Sequence, residues 1–194
     1  MAVYTKIDKG DIRLINSKFD IETITNFQGI KQGIENTNYL LKSKNNKFIL
    51  TIFEKRVLKK EIPFFIKLMD QLSALNIICP KPLKNKNGQF LIKLKNKTAC
   101  IVSFLTGKSK KNLSLKNCYD VGKTAALIHL YTKKIKLFRT NSMGIKKLKP
   151  LLNKIKFKSG EFKNLDKFLE INLRDINKNW PKKLPKGIIH GDLF

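Results

Sequence analysis

Two stretches of this 194-residue chain carry residue types at spacings that can do chemistry. The first is His190-Gly191-Asp192, directly after the apolar run Gly187-Ile188-Ile189. An Asp in a loop at the end of a short buried strand can accept a hydroxyl proton, or orient an alcohol for in-line attack on a phosphoryl group. Gly191 lets the backbone turn sharply between the two side chains. Asp192 and His190 are therefore the candidate catalytic residues, with His190 expected to hold the loop by packing and hydrogen bonding. The bland reading makes Asp192 a turn residue. The second stretch is Gly29-Ile-Lys-Gln-Gly33-Ile-Glu-Asn36-Thr-Asn38-Tyr39, between two predicted strands. Glycines there let a loop fold over phosphates and donate backbone N–H groups. A plain hairpin connection fits the same residues equally well. No GxxxxGK[ST] occurs anywhere in the chain, so this is not a Walker A loop.

These residues need elements to hold them. Asp8 opens a short capped helix over 8–18. Residues 24–29, 38–42 and 47–53 read as three strands, separated by polar turns at 29–36 and 43–46. Lys44-Asn45-Asn46 suits a tight hairpin because Asn tolerates positive φ. Ile62, Phe65, Ile66, Met69, Leu72 and Leu75 follow helical spacing over 60–75, with Pro63 in the first turn. A strand pair at 90–94 and 98–104 comes next, then the polar linker Thr106–Asn112. Ser114 caps a helix to about Tyr131, whose apolar side includes Cys118 and places His129 as a core or interlobe residue. Residues 141–150 read as irregular, followed by helices near 151–157 and 162–179. The segment 186–194 reads as a short apolar strand ending in the His190–Asp192 loop. The fold class is α+β: strands first, helices after.

The composition is strongly basic: 41 Lys and Arg against 14 Asp and Glu, a net charge of +27. Such charge suits nucleic acid, an anionic membrane or a phosphorylated ligand. Only Arg13, Arg56, Arg139 and Arg174 are arginines, whereas a chain built to grip phosphates in bidentate fashion uses more. Lys, Asn and Ile are the residues of AT-rich codons, and the lysines are scattered. The charge therefore reads as solvated surface, with no dedicated nucleic-acid site and no membrane contact expected. Cys79, Cys100 and Cys118 form no CxxC pair, which supports neither zinc nor a disulfide framework and leaves them as small buried hydrophobes. The first residues, MAVYTKIDKGD, hold no apolar signal region, and no apolar run reaches the ~20 residues of a membrane helix. A cytoplasmic protein is expected; its oligomeric state is not legible.

The order of these parts resembles the aminoglycoside phosphotransferase/choline kinase branch of the protein-kinase-like fold. Within it the chain is similar to the kinase-like homoserine kinases. The similar stretches are MAVYT (1–5), FQGIKQGIENTNYLL (27–41), FILTIFEKRV (48–57) and IPFFIKLMDQL (62–72), then CPKP (79–82), VSFLTG (102–107), GKTAALIHL (122–130) and WPKKLPKGIIHGDLF (180–194). The resemblance covers essentially the whole chain in one order. It implies a two-lobe protein: an antiparallel-sheet nucleotide lobe over 1–103, a hinge at 104–107, and an incomplete helical lobe over 108–194 that stops just after the catalytic loop. It implies transfer of the γ-phosphoryl group of ATP, with Mg²⁺, to the hydroxyl of L-homoserine, a step of threonine biosynthesis. Asp192 and His190 would be catalytic. Gly29, Gly33, Asn36 and Asn38 would cover the phosphates, and the backbone of Ser103 to Leu105 would pair with adenine. Thr51 stands where many relatives carry a Lys or Arg for the α- and β-phosphates, which leaves Lys55 or Arg56 as candidate cations. The metal ligands are expected beyond Phe194, so these residues alone are expected not to turn over. Two other readings remain: a different alcohol or amino-alcohol kinase of the same superfamily, and a fragment that binds a nucleotide or polyanion without turnover.

Overall fold

The computed structural model describes residues 3–54, 58–141, 144–154, 164–181 and 183–192. The first helix, α1 (Lys9–Lys18), begins where the sequence places its cap. The Asp8 carboxylate accepts from the N–H groups of Gly10 (2.7 Å) and Asp11 (3.1 Å), and Asp11 returns the favour to the Asp8 N–H (2.9 Å). Lys95 Nζ lies 2.7 Å from Asp8 and 3.1 Å from Asp11, so the same acidic pair ties this helix start to a distant turn.

The sheet has strands β1 (Asn26–Gly29), β2 (Thr37–Lys42), β3 (Lys47–Ile52), β4 (Leu91–Leu94) and β5 (Lys97–Ser103). They pair antiparallel in the order β1-β2-β3-β5-β4. Alternation along a strand sends neighbouring side chains to opposite faces. On one face Tyr39, Leu41, Leu50, Ile52, Ala99 and Ile101 bury against Ile12, Ile15 and Phe19. On the other, Cys100 and Val102 bury against Ile62 and Ile66 of α2 (Ile62–Ala74). Both faces of β5 are covered, which is why Ala99-Cys100-Ile101-Val102 reads as an unbroken apolar run.

Two turns differ from expectation. Neither Asn45 nor Asn46 takes positive φ; that conformation belongs to Lys95 (48°) and Asn96 (60°) between β4 and β5. The β2–β3 turn is held from outside, by the Glu22 carboxylate. It accepts from Ser43 Oγ (2.6 Å), the Asn45 N–H (3.0 Å) and the side-chain amides of Asn45 (2.9 Å) and Asn46 (3.0 Å).

The chain divides into two compact units, Met1–Leu137 with Ile188–Phe194, and Phe138–Gly187. In the first unit, α3 (Leu115–Thr132) starts on a Ser114–Asn117 capping box. On its apolar side Leu115, Val121, Cys118 and His129 are exposed while Ala125 and Ile128 are half-buried, so Cys118 and His129 are not the core residues the spacing suggested. The second unit holds α4 (Ile145–Leu152) and α5 (Leu165–Asn179), with Ile145, Leu152 and Leu173 lining the groove between them. Helix α4 covers residues read from sequence as irregular. Pro150 lies near its end, so the missing N–H costs one bond and the helix ends soon after. Of the expected 151–157 helix, residues 151–152 end α4, residues 153–154 are already a turn, and residues 155–157 lie outside the described residues.

Residues 184–192 form no strand. A strand needs a neighbour to satisfy its backbone, and this segment has none among the described residues; its closest tie is a long contact from Thr132 Oγ1 to the Ile188 carbonyl (3.5 Å).

Candidate active site

The β1–β2 loop is the centre of the candidate site. It closes at its base through the Ile30 N–H, which donates to the Asn38 carbonyl (2.8 Å). Residues 31–35 are exposed. Gly33 takes φ +101°, a conformation that strains any residue with a Cβ. At Gly29 the constraint is space: an added Cβ would sit 2.9 Å from Val3 Cγ2. Asn36 lies at the loop's end, where its Oδ1 accepts from the Glu54 N–H (3.3 Å).

Asn38 and Thr51 are direct cross-strand partners, on the sheet face shared with Cys100. Thr51 Oγ1 donates to Asn38 Oδ1 at 2.8 Å. That bond engages the amide oxygen and leaves the amide NH₂, with two donors, as the group Asn38 can offer a ligand. Both side chains are half-buried. Lys55 and Arg56, the candidate cations, lie outside the described residues.

Glu54, just beyond β3, forms a polar knot that the sequence reading did not single out. Its Oε1 accepts from Thr5 Oγ1 (2.6 Å) and Thr37 Oγ1 (2.7 Å), and its Oε2 pairs with Lys97 Nζ. Burial pushes this carboxyl's pKa up, but the bonds from Lys97, Thr5 and Thr37 outweigh it and hold the group below its ordinary value. Thr5, Thr37 and Glu54 fall within the quoted stretches 1–5, 27–41 and 48–57, and Lys97 lies outside all of them, yet no local spacing marks any of the four. They meet only because the sheet pairs.

At the end of β5, Ser103 is already committed. Its N–H donates to the Lys81 carbonyl (2.9 Å) and its hydroxyl accepts from the Lys81 N–H (2.9 Å). Leu105 is exposed, and its N–H has no partner among the described residues. A planar ligand at this edge would find its donor at Leu105, not at Ser103. Lys47 Nζ lies 5.7 Å from the centre of the Phe104 ring.

His190 and Asp192 are exposed, with Gly191 between them at φ +76°. The glycine takes the left-handed conformation open to it, but residues 184–192 form no turn around it. Among the described residues no hydrogen bond or ion pair joins His190 or Asp192 to the loop, Asn38 or Thr51. The structure thus brings Gly29, Gly33, Asn36, Asn38 and Thr51 into one neighbourhood and leaves the His190–Asp192 loop unattached to it. Nor do the described residues include a group of three or more His, Cys, Asp or Glu side chains able to hold a metal ion.

Comparison with known proteins follows the same lines. The model described as the phosphotransferase enzyme family matches residues 26–194. A homoserine kinase from Paramagnetospirillum magneticum is 37% identical over 195 residues, covering 100% of this chain and 60% of the relative. One from Agrobacterium fabrum is also 37% identical, covering 100% of this chain and 61% of the relative. The chain thus spans about 60% of the length of the curated relatives it matches. Among solved structures, a spectinomycin phosphotransferase in complex with ADP and spectinomycin superposes with a TM-score of 0.64 at 15% identity. That match covers 97% of this chain and 64% of the other, and at such low identity it speaks to the fold.

Proposed function

The chain belongs to the phosphotransferase enzyme family, and from that premise we propose that it supplies the nucleotide lobe and catalytic loop of an ATP-dependent homoserine kinase. The carrying observation is the Thr51–Asn38 pair. By the resemblance Thr51 stands where many relatives carry a phosphate-holding cation; its hydroxyl engages the amide oxygen of Asn38, which leaves the NH₂ for a ligand. The whole-chain similarity to homoserine kinases supports the acceptor.

In this reading residues 1–103 hold ATP, 104–107 are the hinge, and 108–194 contribute to the acceptor side. The loop 29–36 folds over the phosphates and donates backbone N–H groups. Asn38 donates to a phosphate oxygen, and the Leu105 N–H meets the adenine edge. The Asp192 carboxylate takes the proton of the homoserine hydroxyl as that oxygen bonds the γ-phosphorus. The bond from the γ-phosphorus to the β,γ-bridging oxygen breaks, and ADP leaves. His190 holds the loop in which Asp192 sits. Mg²⁺ would neutralise phosphate charge; the described residues do not form its ligand set, so no step runs through it. No described helix is long and apolar enough to cross a membrane, and the work of such an enzyme belongs in the cytoplasm.

The test joins this chain to the C-terminal portion of the Paramagnetospirillum relative and follows ADP release. Turnover with L-homoserine, and not with choline or an aminoglycoside, is expected, and Asp192→Asn should lower it by about 10²–10⁴-fold. Equal turnover with choline would remove the acceptor assignment. Near-normal turnover in the Asn variant would remove Asp192 from its role.

A further inference from the structure

The segment at residues 3–7 touches the β1–β2 loop along its whole length. Val3 fills the space beside Gly29, at the loop's start. Tyr4 Oη donates to the Ile34 carbonyl (2.9 Å), midway along it. The N–H groups of Tyr4 (2.9 Å) and Thr5 (3.1 Å) both donate to Thr37 Oγ1, at its end. Tyr39 Oη then donates to the Thr5 carbonyl (3.0 Å) and accepts from the Ile7 N–H (3.3 Å), fixing the segment to β2. Glu54 and Lys97 lock the assembly: Glu54 gathers the hydroxyls of Thr5 and Thr37, and Lys97 Nζ reaches both Glu54 and Thr5 Oγ1 (2.7 Å).

We propose that residues 3–7 are a strap that sets the pose of the phosphate-covering loop, with Thr5, Thr37, Glu54 and Lys97 as positioning residues for nucleotide binding. The proposal rests on the reading that this loop covers phosphates. Three features point to positioning over simple burial. The loop has few anchors of its own: beyond the Ile30–Asn38 closure and the Tyr4–Ile34 bond, no backbone group of residues 31–35 has a protein partner among the described residues. The knot is polar and fully used. The Thr37 hydroxyl is completely buried, donates once and accepts twice, which is all a hydroxyl can do. And the knot joins parts far apart in sequence: the strap, the C-terminal end of the loop, the residue after β3 and the start of β5. A loop held in advance loses less conformational freedom when it closes on a ligand, so loosening the strap weakens binding without touching a group that meets the nucleotide.

The experiment uses the 194-residue chain and two readouts, backbone amide exchange and affinity for a fluorescent ATP analogue. Thr37→Val is nearly isosteric but removes the acceptor of two N–H donors, that of Thr5 buried and that of Tyr4 half-buried, and takes one of its three donors from Glu54. It should speed exchange at residues 30–36 and weaken the analogue by about tenfold each, as expected for losing one or two hydrogen bonds. Exchange at residues 99–102, in the middle of β5, should stay as it was. Thr37→Ser keeps the hydroxyl and should behave as the unsubstituted chain on both readouts. If Thr37→Val unfolds the chain, Thr5→Val against Thr5→Ser carries the same comparison at the strap itself. Acceleration spread equally through β5, or a loosened loop with unchanged affinity, overturns the positioning role. An unsubstituted chain that fails to bind the analogue overturns the nucleotide reading instead, and the exchange pattern alone then decides whether the strap holds the loop.

Discussion

The sheet region and the helices that follow it are built from similar amphipathic patterns, yet they fare differently. Every buried apolar side chain among the described residues lies between Ile7 and Val102. After Val102, Thr132 is the one described residue that is fully buried. The sheet has a helix on each face, so its alternating residues find partners on both sides. The helices α3, α4 and α5 carry apolar positions at helical spacing, and Leu115, Leu151, Phe168 and Ile171 remain exposed. The difference shows that periodicity specifies which side of an element is apolar, not whether anything covers it.

Substitutions can break that comparison. The largest effect belongs to the sheet. Ile101 is completely buried, and Ile101→Ala should cost about 2–5 kcal/mol in urea unfolding. The same truncation at the exposed Leu130 of α3 should stay within about 0.5 kcal/mol. Equal costs would mean that α3 is covered after all.

A smaller effect tests the knot through pH. The carboxyl of Glu54 has a lower pKa folded than unfolded. Its contribution is therefore full above the unfolded value, about 4.3 for a free Glu, and is lost as pH falls through the folded one. The urea midpoint of the unsubstituted chain should drop over that acid range, with a shallower drop in Glu54→Gln. The carboxylates of Asp8 and Glu22 are also held low by their hydrogen bonds, so a residual slope is expected. Identical slopes in both proteins would show that the knot does not sense protonation of Glu54.

The smallest effect sharpens the comparison on the helical side. Ser114→Ala removes the cap of α3 and should cost that helix about 1 kcal/mol. It should appear as faster amide exchange at residues 115–120, with the global unfolding midpoint unmoved. A shifted midpoint would show that α3 unfolds together with the sheet.

Local chemistry was legible in the sequence, and long-range chemistry was not. Asp8 and Ser114 announced their helices, because a cap is written within four residues. Gly29 and Gly33 marked a loop between two strands, and 98–104 was legible as a strand of a pair, though not as one with both faces covered. Helix α4 was hidden by Pro150, whose position near a helix end costs little. The expected strand before His190 failed for the opposite reason: its residues have strand character but no neighbour to pair with among the described residues. Of the candidate site, the sequence supplied the loop and Thr51. It did not supply the Thr51–Asn38 bond or the Glu54 knot, since both depend on strand register. Nor did it show that Ser103 spends its N–H and hydroxyl on Lys81, which moves the free donor at this edge to Leu105.

The distribution of thiols has a practical side. Cys100 is buried between the sheet and α2, and burial pushes its pKa up to about 12. Cys79 is half-buried and likewise raised, with its Sγ turned to the Met69 carbonyl (3.6 Å). Cys118 sits exposed on α3. Because the thiolate is the reactive form, a maleimide dye added at neutral pH will favour Cys118. The chain therefore comes with its own attachment point for a reporter, placed on the helix whose surroundings most need watching and away from the sheet that must not be disturbed.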